Sequence, residues 1–176
     1  MKRILIPILL LISTLVYSIS SNARGVYQSK DAFLNEVFAG PPPKASVIWL
    51  TGESKKSATD ILQHKPDYLR VRYWEQDNTS AWILNEIGKE QPITVGIVIV
   101  DSRIKRLSVL EFRESRGDEV RHNFFTQQFD GIQIQPDNQL NKSIDGITGA
   151  TLSVRALKRL ARLALYLDTY RVSRNK

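Results

Sequence analysis

Near the C-terminus the chain reads DGITGATLS, residues 145–153, and runs directly into an amphipathic stretch. Gly146 and Gly149 admit positive φ and let a ligand approach the backbone closely. Gly149, Ala150 and Thr151 fall where the helix begins, so amides there lack intrahelical acceptors and the helix dipole adds partial positive charge. A phosphate is a natural occupant of such a place. Thr151 is expected at the cap, with its hydroxyl beside that phosphate. The plainer alternative is that Thr151 only caps the helix while the glycines make the turn. No Gly-x-x-x-x-Gly-Lys-Ser/Thr pattern occurs, so this is not a nucleotide P-loop.

Such a segment needs a helix behind it and a scaffold around it. Residues 152–170 put Leu157, Leu160, Ala161, Ala164 and Leu167 on one face, which predicts a closing helix. Upstream, 68–74, 79–87, 93–100 and 105–112 read as strands joined by short turns, hence antiparallel. ITVGIVIV, 93–100, is too apolar for a half-exposed strand and is expected at the centre. In the strand after it, Leu107 and Val109 alternate with Ser108 and Leu110. ASVIWL, 45–50, is a further short strand. Two short helices are expected before the sheet is complete. One spans 29–38 and ends at a run of three prolines; the other spans 57–63, with Ser57 and Asp60 spaced as a capping box. A third, 120–129, carries Phe124, Phe125 and Phe129, and 132–144 is a loop with room for one edge strand. The expected fold is a single α+β domain, an antiparallel sheet packed with helices and closed by the helix after DGITGATLS.

Composition narrows the chemistry. The chain has no cysteine, which excludes thiol catalysis, iron–sulfur ligation and a lipidated N-terminal Cys. With only His64 and His122, a histidine metal cluster is not expected. Residues 1–23 combine Lys2 and Arg3, an apolar run from 4 to 16 and the small residues Ser21-Asn22-Ala23. They read as a secretory signal or an uncleaved anchor, and either one places the domain outside the cytoplasm, in the periplasm or on the outer face of the inner membrane. The net charge is +7, and Arg155, Lys158, Arg159, Arg162, Arg171 and Arg174 crowd the last helix. An exported chain rarely meets nucleic acid, so the basic excess points to an anionic membrane, an acidic partner or a solvated face.

The segment Asp145-Gly146-Ile147-Thr148-Gly149-Ala150-Thr151 resembles the flavinylation motif of the FMN-binding domain family, which includes the C subunit of the sodium-translocating NADH:quinone reductase and the G subunit of the Rnf complex. The family pattern is Asp, two variable residues, Ser or Thr, Gly, Ala, Thr. The resemblance implies that Thr151 is joined to the FMN phosphate by a phosphodiester. It also implies a flavin transferase, using FAD and magnesium outside the cytoplasm, as a maturation partner. ITVGIVIVDSRIKRLSVLEFRES is similar to the family's strand, turn and strand, and FFTQQFDG to a segment containing Phe and Gly. Glu114 and Gly117 match a loop that lies beside the flavin in relatives. Many members carry Thr-Pro between these two, where this chain has Ser115-Arg116, so ring contacts do not transfer.

The resemblance covers about residues 82–167. It divides the chain into the N-terminal segment 1–23, helices and strands over 24–80, and an FMN-binding region over 81–176. A flavin needs an apolar or aromatic wall. Trp82, Phe124, Phe125 and Phe129 are candidates for it, and each could equally be core. Arg116 or Arg121 near the ring would favour an anionic reduced flavin, or could simply face solvent. Two functions stay open: an extracytoplasmic FMN electron carrier serving a membrane or periplasmic redox partner, and a binding module that docks by its basic helix. A hydrolase using Ser143 or Ser153 with His122 lacks any nucleophile elbow and is set aside.

Overall fold

The computed structural model describes residues 25–174. The N-terminal segment read as a signal or anchor lies outside the described residues. No helix within them is long and apolar enough to cross a membrane. The chain order is α1 (Lys30–Val37), β1 (Ser46–Trp49), α2 (Gly52–Leu62), β2 (Arg70–Gln76), β3 (Thr79–Ile87), β4 (Pro92–Val100), β5 (Arg103–Phe112), α3 (Asn123–Thr126) and α4 (Thr151–Arg174). The strands form one antiparallel sheet in sequence order, β1-β2-β3-β4-β5, which makes the expected α+β fold.

Short turns fix the order from β2 to β5, because strands joined so tightly can only fold back on each other, while β1 pairs with β2 across the connection that holds α2. At the β4–β5 turn Asp101 and Ser102 both have positive φ, as such a hairpin demands. Strand β4 is central in burial: Ile93 to Ile99 are all buried. In β5 the register slips twice against β4, between Thr94 and Val95 and between Val98 and Ile99. Each slip leaves one extra residue on β5 and interrupts simple alternation. Ile104, Leu107, Val109 and Phe112 therefore join the main core, while Leu110 turns to the other face.

The two faces are unequal. On one, α2 and α4 cover a large core containing Trp82, Leu84, Val95, Ile97 and the apolar stripe of α4. Trp82 is fully buried and stacks on Tyr73 at 4.9 Å between centroids. Its indole N–H donates to Ser80 Oγ (2.9 Å), and Ser80 donates to Asp168 Oδ1 of α4 (2.6 Å). Arg171 completes this buried chain through Asp168 (2.8 Å) and Glu75 (2.5 Å). On the other face, α1 lays Phe33 and Leu34 over Ala81, Val98 and Leu110. Phe33 rests on Gly96, where any side chain would collide with its ring.

Three local expectations need correction. Helix α2 begins at Gly52 rather than at 57, because Thr51 is the N-cap and Ser54 Oγ accepts from its amide at 3.1 Å. Ser57 and Asp60 lie inside the helix and form no capping box there. Residues 120–129 do not make one helix. Two 3-10 turns, Asp118–Arg121 and Gln127–Phe129, flank α3, since His122 is extended at φ −77° and ψ 150°. The break lets Val120, Phe125 and Phe129 all reach the core while Phe124 stays 63% exposed. Finally, the loop after 132 holds a single bridge, Ile134 to Leu140, and no edge strand among the described residues.

Candidate functional site

Helix α4 starts at Thr151 itself. The Val154 amide donates to the Ala150 carbonyl at 2.9 Å, so Ala150 holds the cap position and Thr151 is the first helical residue. This corrects the expected capping role of Thr151. Its side chain is exposed, and its hydroxyl has no hydrogen-bond partner among the described residues. The amides of Thr151, Leu152 and Ser153 likewise meet no acceptor among the described residues, as the geometry of a helix start dictates. Just before them, Ile147 to Ala150 form a turn closed by the Ala150 amide on the Ile147 carbonyl (3.0 Å). Gly149 sits in that turn at φ +85°, a conformation that suits glycine.

Against this helix start leans the loop after β5. Gly117 has φ +88°, and a Cβ there would stand 2.6 Å from Ser153 Oγ and 3.4 Å from the Ala150 side chain. Close backbone approach is what joins the two segments. Between them lies a groove of about 580 Å³, bordered by Lys89, Glu114, Arg116, Gly149, Thr151 and Ser153 among others. The volume falls within the range of small-molecule sites. Its rim carries two cations, Lys89 and Arg116, and one carboxylate.

That carboxylate is Glu114, and its first job is local. One oxygen accepts from the successive amides of Lys89, Glu90 (2.6 Å) and Gln91 (2.9 Å), clasping the β3–β4 turn. Burial alone would raise the Glu114 pKa, but the three amides and the Lys89 charge outweigh it and hold it below the ordinary value. Nothing local in the sequence announces this clasp. It joins residues more than twenty positions apart, and GKEQP reads only as a turn.

Of the residues expected from sequence, Glu114, Gly117, Gly149, Ala150 and Thr151 meet at this place. Asp145, Gly146 and Thr148 are exposed and do not border the groove; the Asp145 amide is held by Gln128 Oε1 at 2.8 Å. Trp82, Phe125 and Phe129 are fully buried core and form no wall. Phe124 is exposed but stacks with His122 away from the groove. Arg121 lies over Tyr27 and pairs with Asp118, so of the two arginines only Arg116 borders the groove. Lys89 and Ser153 border it too; nothing in the sequence singles out Lys89, and Ser153 enters there only as a hydrolase nucleophile.

The arrangement suits a group with an anionic end and a broad body. Three amides and a hydroxyl without partners among the described residues, together with two cations, meet beside a groove where Gly117 lets the loop pack against the helix start. No curated protein and no solved structure matches the chain. The family model described as FMN-binding domain matches residues 88–166, which include β4, β5, the Glu114–Gly117 loop and the first sixteen residues of α4. The chain therefore carries an FMN-binding domain over residues 88–166, and FMN is its cofactor.

Proposed function

We propose that the protein is an extracytoplasmic flavoprotein that carries electrons, with its FMN esterified to Thr151. The single observation behind the attachment is the Thr151 hydroxyl. It is exposed, makes no hydrogen bond among the described residues and sits on the first turn of α4, inside an FMN-binding domain.

The amides of Thr151, Leu152 and Ser153 would hold the phosphate, with Lys89 and Arg116 adding positive charge. The Glu114–Gly117 loop would form the opposite wall. FMN supplies the redox chemistry, accepting two electrons and releasing them singly; the protein supplies attachment, orientation and electrostatic tuning. Asp145, Gly146 and Thr148 shape the approach to the helix from outside the groove, a role consistent with recognition of the segment by a flavin transferase that draws on FAD. The export reading rests on residues 1–23. Such a carrier serves a membrane or periplasmic redox partner and is not a stand-alone enzyme.

Coexpression with a flavin transferase, followed by denaturing gel electrophoresis, tests this reading. The wild-type band is expected to fluoresce and the Thr151→Ala band to be dark. Equal fluorescence of the two bands would remove Thr151 from the account.

A further inference from the structure

Thr151 borders a second groove, of about 620 Å³, on the other side of the α4 start. Its charge is one-sided. Arg155, Lys158, Arg159 and Arg162 line it from α4, and Lys142 from the loop before; no carboxylate does. The four helical cations stand at i, i+3, i+4 and i+7, a stripe about 10 Å long along two turns of one face. Two of them are partly committed. Arg159 reaches Glu86 (3.3 Å) and Gln63 (2.7 Å), while Arg162 Nε donates to the Asn138 carbonyl (2.6 Å). Burial pulls the Arg162 pKa down; the Asp137 charge opposes this, and the Arg159 charge adds to it more weakly. Arg155, Lys158 and Lys142 have no ion-pair partner among the described residues.

This positive charge exceeds what the flavin needs, since a phosphodiester carries one negative charge. The lining also argues against a nucleotide: Leu140 and Val154 are its apolar members, and no aromatic ring is present to stack on a base. Long side chains ranged along an open helix face match a row of carboxylates on another surface, where they steer encounter more than they add affinity. We infer that this groove docks an acidic face of a partner protein, seated so that the partner lies beside Thr151. The electron-transfer role of that contact rests on the proposed flavin attachment; the docking itself does not.

The test uses the whole chain and a fluorescein-labelled oligoglutamate, read by fluorescence anisotropy at low salt. Arg155→Glu combined with Lys158→Glu is expected to weaken binding by about tenfold or more, and added salt to weaken the wild type similarly. A matched reversal on the sheet, Arg72→Glu with Lys105→Glu, controls for net charge and is expected to cost less than about twofold. Circular dichroism of both variants checks that they fold. If the two reversals weaken binding equally, the inference fails. Gel fluorescence of the same wild-type protein keeps the two readings apart. A chain that binds the peptide through this groove but never acquires flavin sinks the carrier and keeps the docking; a flavinylated chain whose binding ignores these cations does the reverse.

Discussion

The two ends of α4 are built from similar residues and used in opposite ways. At its C-terminal end the cation is consumed by the fold: Arg171 lies between Asp168 and Glu75 with its side chain 12% exposed, over the Tyr73 ring. Through Ser80 that network reaches the buried indole of Trp82. At the N-terminal end the polar groups are left open. The Thr151 hydroxyl and three amides have no partners among the described residues, and Arg155 and Lys158 make no ion pair there. Buried polar groups need partners because leaving them unpaired costs stability, whereas exposed groups at a helix start cost little and stay available for a ligand. One end anchors the helix, and the other presents it.

That contrast can be broken from either side. The largest effect is expected from Thr151→Ala, which removes all flavin that survives denaturation yet shifts unfolding by no more than about 0.5 kcal/mol, since it deletes an exposed, unbonded hydroxyl. Asp168→Ala reverses the pattern: it leaves Arg171 short of a buried partner and costs about 3 kcal/mol by denaturant titration, while denatured-gel fluorescence of the folded fraction persists. Gly117→Ala sits between the two, because it strains a positive-φ position and drives a methyl into Ser153 Oγ. A cost of about 2 kcal/mol is expected there, together with reduced flavin loading, measured as flavin absorbance per protein.

Two smaller effects carry a pH signature. The Glu114 pKa is depressed, so its clasp on the β3–β4 turn contributes above the unfolded carboxylate range and is lost as pH falls through the folded value. The stability gap between wild type and Glu114→Gln should therefore close below about pH 4. His64 is shifted upward, first by its bond to the Lys65 carbonyl and also by Glu86, with burial opposing. Its contribution is full below about pH 6.5 and fades as pH rises through the raised value. The half-exposed His64 makes this the smallest effect, below about 1 kcal/mol for His64→Ala, and hydrogen exchange at the end of α2 would follow it.

The parts of the molecule that sequence made legible are those governed by local pattern. Residues 79–87 form β3 as read, because the turns on either side bracket an extended run. The long apolar stripe of α4 and the short turn at Asp101-Ser102 were equally plain. Illegible were features set by distant partners. The start of α2 depends on Ser54 answering Thr51, and the two slips in β5 depend on which residues face β4. The break at His122 lets three apolar side chains reach one core, which no helical period encodes. For the site, the motif located Gly149 to Thr151 and the loop match located Glu114 and Gly117. Lys89 and the second groove emerge only once the β3–β4 turn and the loop before α4 are folded against the helix.

Esterification at Thr151 itself can be read by peptide mass mapping. Protein made with an active flavin transferase, digested with trypsin, yields the peptide spanning residues 143–155. This peptide is expected to gain the mass of FMN less one water, with fragment ions placing it on Thr151. An unmodified peptide, or the same mass on Thr148 or Ser153, would contradict it.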